Sequence, residues 1–320
     1  MPKVSDTIQS VIDALKSKHG KEAARKMSDG ARSTVKEVIP TGILPLDNWV
    51  TGCGGLPVGR VTELFSEEGG GKTSLVYQCI GQCQKIGGVS ILVETEDALD
   101  PVRAEVFGVD LENLVLIEPN NMEEALEQIN TAIGALVEGE GPILLAWDSL
   151  AATPTKAEIE AGLVGGNAMA DRARLMSRAC RVLGNIVSKH RIAMLIVNQT
   201  RTKLGVMFGD NMTTPGGQGL KFLSSLRLKI SGGKANKNDL GDHTAKDILF
   251  HAVKNRMAPP WRKCRVRLDY AKGWDNEWSV VDFGKERKIL KPRSRGKKAY
   301  DEVIEALDWK TSTDHAKDDK

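Results

Sequence analysis

The part of this sequence best suited to chemistry is a glycine-rich run that ends in lysine, threonine and serine. The run SEEGGGKTS, residues 66–74, follows a β-rich stretch and precedes a helical pattern. Backbone N–H groups at a helix start bind anions, and glycines leave room for a phosphate to approach the backbone. The pattern predicts a nucleotide-binding P-loop, and a glycine-rich turn without a ligand is the weaker alternative. The predicted nucleotide-binding residues of the run are Ser66, Glu67, Glu68, Gly69, Gly70, Gly71, Lys72, Thr73 and Ser74.

Lys72 and Thr73 would have separate tasks in such a loop. The lysine can reach the β- and γ-phosphates of ATP, and the threonine hydroxyl can bind Mg²⁺. A second acidic group is needed at the end of an adjacent strand. Residues 143–147 are continuously apolar, as in a buried parallel strand, and Asp148 follows them. We therefore predict ATP and Mg²⁺ as cofactors, with Thr73 binding the metal directly and Asp148 binding it through water.

A third apolar run ends in carboxylates, one of which is the predicted catalytic base. Residues 89–94 end in Glu94 and are followed closely by Glu96 and Asp97. Hydrolysis needs a carboxylate that orients and deprotonates the attacking water near the γ-phosphate. Glu96 is the predicted catalytic residue, together with Lys72. The spacing does not exclude Glu94.

Two glycine-rich segments carry cations that would suit a polyanionic partner. Residues 200–221 have no periodicity, and a structureless loop of that length inside a compact domain is usually functional. Its cations can follow a phosphate backbone while the apolar residues 206–208 wedge between bases. Residues 160–169 open a helix that carries four arginines. Each segment alone could be a surface loop, but two beside a nucleotide site favour nucleic acid.

The central region must position these groups, and its pattern is that of an α/β fold. Short β-rich runs alternate with helical stretches between about residues 41 and 270, which is typical of a mostly parallel sheet with crossover helices. The runs are 60–65, 89–94, 114–118, 143–147 and 192–197, and the helical stretches include 73–85, 122–137 and 168–190. Three later runs, 226–230, 248–254 and 264–268, lack long helices between them. We expect these three to extend the sheet antiparallel.

The two ends of the chain have patterns of their own. Four apolar residues near the N-terminus have helical spacing, namely Ile8, Val11, Ile12 and Leu15. Ser5 or Asp6 is the expected cap and Gly20 the stop, and this helix could pack on its own domain or on a neighbouring subunit. Residues 285–300 carry eight cations against one acid, and an amphipathic segment, 301–309, follows. The basic stretch is either a solvated linker or a patch that attracts duplex DNA.

Composition and charge exclude several classes of protein. Lys and Arg number 45 and Asp and Glu 42, so the net charge of +3 leaves a polyanion to be met by local clusters. Hydrophobic residues make up 41%, which excludes a wholly disordered chain. No apolar run could span a membrane or serve as a signal core, so we expect no membrane partner and a cytoplasmic location. The five scattered cysteines are expected to be reduced, and a metal pair of Cys79 and Cys83 is disfavoured.

Several stretches, taken in order, resemble the RecA family of recombinases. They are PTGILPLDNWVTGCGGLPVGRVTELF, ETEDALDP, DSLAATPTKAEIE, NQTRTKLGVMFGDNMTTPGGQGLKF and VKNRMAPPW, over about residues 41–261. The resemblance implies a RecA-like P-loop NTPase core with a mostly parallel central sheet, an N-terminal oligomerisation helix and a small C-terminal region. The implied domains are residues 1–40 for subunit docking, residues 41–270 for the ATPase core and residues 271–320 for the C-terminal region.

The resemblance also implies a function on DNA. It implies an ATP-dependent recombinase that forms a helical filament on single-stranded DNA, pairs it with double-stranded DNA and binds ATP between adjacent subunits. Residues 160–169 and 201–219 match DNA-binding loops one and two of the family. The implied DNA-binding residues are Met169, Arg174, Arg181, Arg201, Val206, Phe208, Gly216 and Gly217.

Further residues match positions around the family's nucleotide. Lys254 and Arg256 match a pair of catalytic cations that reaches across the interface to the neighbour's ATP. Gln199 matches the γ-phosphate sensor at the root of loop two, and Asp100 matches a contact to the adenine edge. Phe222 matches an interface residue after loop two.

The sequence departs from the family pattern at several points. Ser66 replaces the first glycine of the P-loop, Arg103 stands where bacterial members place an aromatic residue on adenine, and Arg256 replaces a lysine. The region after Tyr270 is shorter than the bacterial C-terminal domain and lacks its acidic tail, as in a divergent, phage-encoded member. Two alternatives stay open: a ring helicase of the same core fold and an ATP-gated filament protein that binds single-stranded DNA.

Overall fold

The computed structural model describes residues 4–29, 35–136, 141–162, 168–202 and 212–309. The chain forms two compact units, Met1–Lys36 and Glu37–Lys320. The described part of the first unit contains helix α1 (Val4–His19) and a one-turn 3₁₀-helix, Met27–Asp29. The second unit contains the central sheet and the residues predicted to bind nucleotide and DNA.

Helix α1 confirms the predicted N-terminal helix and leaves most of its apolar face exposed. Ile12 is buried, and the helix stops before Gly20, whose φ of 96° is readily adopted by glycine. The other large apolar side chains of the helix are exposed, namely Val4, Ile8, Val11 and Leu15. Because Val4 is already helical, the prediction that Ser5 or Asp6 caps the helix was wrong.

The second unit opens with a two-stranded antiparallel ribbon of β1 (Val38–Ile39) and β2 (Leu56–Pro57). A π-helical turn, Pro45–Thr51, lies between the two strands. The buried Asp47 carboxylate holds its start by accepting hydrogen bonds from the Thr41 and Gly42 N–H groups at 3.0 and 3.1 Å.

Five parallel strands confirm the predicted α/β core. In spatial order they are β3 (Arg60–Ser66), β7 (Ile192–Gln199), β6 (Ile143–Asp148), β4 (Val89–Glu94) and β5 (Leu114–Ile117). Their bounds lie within two residues of the predicted runs. Apolar side chains alternate between the two sheet faces, so each face can bury a layer of helices.

The far half of the sheet differs in one respect from the prediction. Strand β10 (Leu226–Lys237) pairs with β3 in parallel, so the prediction that it runs antiparallel was wrong. The chain between β7 and β10 crosses over β3 and restores the strand direction. The next three strands are antiparallel: β11 (His243–Asn255), β12 (Lys263–Asp269) and β13 (Gly273–Asp275).

Helices cover both faces of the sheet. The core on one face includes apolar residues of α2 (Lys72–Lys85), and the short α3 (Pro101–Val106) lies near it. The core on the other face includes residues of α4 (Met122–Gly134) and α6 (Ala168–Lys189), which follows α5 (Lys156–Ala161). All five cysteines are free thiols, as predicted, and Cys79 and Cys83 are buried in the first core.

The crossover between β7 and β10 contains little regular secondary structure in its described residues. Strands β8 (Arg201–Thr202) and β9 (Met212–Thr213) pair in antiparallel fashion on either side of residues 203–211, which lie outside the described residues. Helix α7 (Gly217–Leu223) then leads into β10.

The C-terminal region is a helical hairpin of α8 (Asn276–Glu286) and α9 (Gly296–Leu307). The predicted amphipathic segment, 301–309, lies mostly in α9, which begins five residues earlier. The basic stretch, 285–300, is partly packed, because Leu290 and Ala299 are buried in a small core with α8. Among the described helices, none is both long enough and apolar enough to cross a membrane.

Candidate nucleotide and DNA site

The predicted P-loop connects β3 to α2 and has the backbone that an anion cradle requires. Gly69 and Gly71 have φ values of 64° and 87°, in the region that favours glycine. Gly71 is the N-cap of α2 and offers no side chain that could accept a hydrogen bond from the first N–H groups of the helix. N–H groups at such a helix start can bind phosphate oxygens.

Ser66 does more than replace a glycine at the start of the loop. It is buried, its Oγ donates to the Glu67 carbonyl at 2.6 Å, and it accepts a hydrogen bond from Lys72 Nζ at 3.1 Å. A Cβ on Gly70 would lie 2.2 Å from Ser66 Oγ, so glycine is required opposite the serine. The serine therefore holds both the loop and its lysine.

Lys72 is only 8% exposed and is bound to neutral acceptors of its own loop. Its Nζ donates to Ser66 Oγ and, at 3.0 Å, to the Glu67 carbonyl. Burial lowers the pKa of Lys72, and three nearby carboxylates, Asp148, Glu96 and Glu68, oppose this shift. An incoming phosphate would offer the ammonium a charged acceptor in place of these neutral ones.

The predicted metal ligands are adjacent to each other. Thr73 Oγ1 donates to Asp148 Oδ2 at 2.8 Å, although the two residues belong to α2 and β6. Burial raises the pKa of Asp148 to about 6, and the hydrogen bond from Thr73 opposes that shift. One hydroxyl and one carboxylate are the oxygen ligands that Mg²⁺ uses when phosphates and water complete its shell. In the described residues no cluster of three acidic, histidine or cysteine side chains offers a fuller metal cage.

The structure separates the two candidate catalytic carboxylates. Glu94 is 7% exposed and accepts backbone hydrogen bonds from residues 96, 97 and 98 at 2.9, 3.1 and 3.4 Å, so it holds the turn after β4. Glu96 is exposed and lines the cavity beside the P-loop. Its Oε1 accepts hydrogen bonds from Ser149 Oγ and, at 3.2 Å, from Gln199 Nε2. Ser149, which no sequence pattern indicated, is thus a partner that orients Glu96.

The cavity beside the P-loop extends to Arg103 and Tyr270. Arg103 lines it, with its guanidinium 4.8 Å from the Phe107 ring centroid and a hydrogen bond to the Tyr270 carbonyl. Tyr270 and Lys246 also line the cavity, and neither was predicted. Asp100 is placed differently, because its carboxylate caps α3 by accepting the Arg103 N–H at 3.0 Å.

Lys254 and Arg256 lie away from the chain's own P-loop. In the strand register, Lys254 of β11 lies opposite Arg227 of β10, and Arg227 lies opposite Glu63 of β3. Glu63 is about 10 Å along β3 from Ser66. Lys254 Nζ donates to the carbonyls of Lys221 and Phe222 at 2.6 and 3.1 Å. Arg256 Nη2 donates to the same Phe222 carbonyl at 3.3 Å, and the Phe222 ring is 71% exposed.

The DNA-binding residues are described in part. Arg174 and Arg181 are exposed on α6, seven residues apart and so on the same face. Gly216 and Gly217, with φ of 95° and 68°, form the turn into α7. Met169 lies in the first turn of α6 and Arg201 in β8, but the placement of their side chains is not described; Val206 and Phe208 lie outside the described residues.

A buried polar network, which no sequence pattern indicated, lies next to the segment that follows loop two. Glu63 is fully buried and pairs with Arg227. Asn198 Nδ2 donates to Glu63 Oε1 at 3.1 Å and to the Pro215 carbonyl at 2.9 Å. The network therefore joins β3, β7, β10 and the exit of loop two, next to Gln199 at the nucleotide cavity.

Together the parallel sheet, the loop between β3 and α2 and the Thr73–Asp148 pair define a P-loop nucleoside triphosphatase. The family model of the RecA N-terminal domain matches residues 6–275. Protein RecA of Francisella tularensis subsp. novicida (strain U112) is 38% identical over 283 residues, which cover 88% of this chain and 77% of that protein. Protein RecA of Francisella tularensis subsp. tularensis (strain SCHU S4 / Schu 4) matches with the same identity and coverage.

The chain belongs to the RecA family. It is an ATP-dependent recombinase and a DNA-dependent ATPase of DNA recombination and repair, and the family binds DNA and forms filaments. A ring helicase and a purely ATP-gated binding protein are not favoured.

Proposed function

We propose that this chain hydrolyses Mg²⁺-ATP at the interface between subunits of a helical filament on single-stranded DNA, and that the filament pairs this strand with duplex DNA. The observation that carries the proposal is the separation within one subunit of the P-loop from Lys254 and Arg256. A site that needs Lys72 of the P-loop together with Lys254 and Arg256 can be completed only by a neighbouring copy. We assign subunit docking to residues 1–40, catalysis to 41–270 and an accessory role to 271–320.

The P-loop would bind the triphosphate. The N–H groups at the start of α2 would receive phosphate oxygens, and Lys72 would exchange the Ser66 hydroxyl and Glu67 carbonyl for them. Thr73 and Asp148 would hold Mg²⁺, which neutralises charge on the phosphates when bound. Arg103 would lie against the base, where its flat guanidinium can stack, while the capping contact of Asp100 leaves one carboxylate oxygen for the adenine edge.

Glu96 would activate the attacking water. Ser149 and Gln199 both donate to the same oxygen, Oε1, so Oε2 has no donor among the described residues and can accept the proton of water. Gln199 would move when a γ-phosphate competes for its amide. Since Gln199 ends β7 just before loop two, nucleotide state could pass to the DNA-binding loop through this residue.

Contacts between subunits would complete the site. The carbonyls of Lys221 and Phe222 hold Lys254 and Arg256 side by side, so both cations can face one neighbouring phosphate group. The exposed Phe222 ring beside them supports the predicted interface role. The exposed apolar face of α1 supports docking on another copy, since such a face is stabilised by burial.

The proposed DNA contacts come from three places. Arg174 and Arg181 on α6 can neutralise phosphates, and the loop-two residues Arg201, Val206 and Phe208, with Met169, would contact the bases and backbone of the single strand. Gly216 and Gly217 allow the chain to turn close to that strand. The turn between α8 and α9 exposes Arg293 and Arg295, which supports attraction of duplex DNA during pairing.

The proposal is tested by imaging the full chain with single-stranded DNA and a nonhydrolysable ATP analogue. We expect continuous helical filaments with both ligands, and ATP hydrolysis that rises when single-stranded DNA is added. Closed rings, with unwinding and no pairing, would select the helicase alternative. A chain that stays monomeric with both ligands would contradict the proposal.

The titration of Lys254 gives a pH-dependent prediction. Burial lowers the pKa of Lys254 to about 8, with Arg256 and Arg227 adding to the shift and Glu63 opposing it. Lys254 is charged below this pKa and neutral above it, so we expect kcat/KM of the DNA-stimulated ATPase to fall about tenfold from about pH 7 to pH 9. Lys254→Arg should remove most of this fall, because guanidinium stays charged. An unchanged pH profile in Lys254→Arg would contradict the assignment.

A further inference from the structure

Lys246 of β11 is a cation at the P-loop that neither the sequence patterns nor the family resemblance assigned. Its Nζ donates to the Gly69 carbonyl at 3.2 Å. The side chain passes over Gly232 of β10, where an added Cβ would lie 3.5 Å from Nζ. Lys246 therefore reaches from the antiparallel half of the sheet to the glycine loop.

The Lys246 ammonium lines the nucleotide cavity together with the loop glycines and Lys72. It also lines a second cavity, which includes Gly70 and reaches Thr200. Lys246 is thus shared by the two cavities. A ligand on the loop glycines would lie in the cavity that both Lys72 and Lys246 line.

The Lys246 ammonium has hydrogen-bond donors left for a ligand. A lysine ammonium has three donors, and one of them is used on a neutral carbonyl. Lys246 is absent from the ion pairs found among the described residues. Two donors and the full charge therefore remain for an anion in the cavity, where a charge-assisted hydrogen bond is stronger than a neutral one.

The charge of the site gives a second, independent argument. Two carboxylates line the cavity, namely Glu68 and Glu96, and three cations line it, namely Lys72, Arg103 and Lys246. Without Lys246 the charges of this lining would only balance. Lys246 therefore gives the lining the net positive charge that attracts a triphosphate to the free subunit, before any neighbour contributes charge.

We propose that Lys246 is a second phosphate-binding lysine, which contacts the triphosphate from the β11 side while Lys72 contacts it from the P-loop. This inference rests on the proposed function, since it concerns the same nucleotide. Lys246 keeps its bond to the Gly69 carbonyl and so also holds the loop with its N–H groups toward the ligand. Strand β11 then carries one cation for its own nucleotide and, eight residues later, Lys254 for the neighbour's.

The test measures binding of ATP and of inorganic tripolyphosphate, which lacks base and ribose, to the full-length chain without DNA. Lys246→Met keeps the aliphatic stem and removes the charge. We expect it to weaken both ligands by about 10- to 100-fold, the range for a hydrogen bond to a charged group. Lys246→Arg should restore most of the affinity. Lys237→Met removes an exposed lysine of the same hairpin and should bind both ligands as the wild type does.

Different outcomes separate this inference from the proposed function. Wild-type affinity for both ligands in Lys246→Met would overturn the inference alone, provided that Lys72→Ala has lost binding. An effect on ATP but not on tripolyphosphate would also overturn it, because a phosphate contact must be felt by both. If Lys72→Ala bound both ligands with wild-type affinity, the P-loop would not be the nucleotide site. The proposed function and the inference would then both fail. Thermal melting of each variant checks that the fold is retained.

Discussion

Replacing both Lys254 and Arg256 by alanine is expected to lower DNA-stimulated ATP hydrolysis by about 10³- to 10⁵-fold, as loss of a trans-acting arginine does in related phosphoryl-transfer sites. The two side chains lie beside Phe222 and away from the chain's own P-loop. In the proposed site they would therefore stabilise transition-state charge only at a neighbour's nucleotide. ATP binding by the free subunit, measured by calorimetry, should be unchanged.

A mixing experiment distinguishes action between subunits from action within one. The double variant keeps its P-loop, and Lys72→Ala keeps its Lys254 and Arg256. We expect neither variant to be active alone. A junction between the P-loop of the double variant and Lys254 and Arg256 of the Lys72→Ala variant is complete. With random assembly of equal amounts, about a quarter of the sites should hydrolyse ATP. No recovery on mixing would contradict action in trans, and a double variant of the exposed Lys234 and Lys237 is the matched control for lost charge.

Glu96→Gln is expected to lower kcat by about 10²- to 10⁴-fold, the usual contribution of a general base. The amide keeps the size of the side chain and an oxygen that can accept from Ser149, so ATP binding and filament assembly should persist. Quenched-flow measurement of one turnover on single-stranded DNA would report the chemical step directly. The filaments should be long-lived, because we expect hydrolysis to weaken the binding of DNA.

Glu94→Gln is the informative control for that variant. Glu94 accepts three backbone N–H bonds, and an amide has one oxygen in place of two, so this change should lower the melting temperature more than Glu96→Gln does. If Glu96→Gln hydrolysed ATP at the wild-type rate and a folded Glu94→Gln did not hydrolyse it, Glu94 and not Glu96 would be the catalytic base. Unchanged strand exchange in Glu96→Gln would show that nucleotide serves assembly and not turnover.

The sequence was most informative where a local pattern dictates backbone conformation. The P-loop glycines, the apolar run before Asp148 and the alternation of strands and helices all depend on short-range rules, and the structure agrees with them. The direction of β10 was not predictable in this way, because it depends on a crossover that has only a short helix and no strong periodicity. The start of α1 was also predicted wrongly, because a polar side chain of capping type does not by itself fix the residue at which a helix begins.

Contacts between side chains on different strands of the sheet could not be predicted from the sequence. The choice between Glu94 and Glu96 depends on which carboxylate the following turn uses, and that is visible only in three dimensions. Lys246 and Tyr270 lie far along the chain from the P-loop, so no spacing rule connects them to it. The alternation of β11 could place Lys246 on a face, but which loop lies opposite depends on the order of the strands.

The position of Lys254 and Arg256, at a distance from their own P-loop, has a consequence for polymers of finite length. In a filament with the proposed site between subunits, one terminal subunit would have a nucleotide pocket with no copy beyond it to supply these two side chains. Catalytic turnover per protomer should therefore rise with oligomer length and approach a plateau, and the two tips of the polymer should differ in how readily they shed protomers. With this site, the chemistry of a single chain would give the whole assembly a direction.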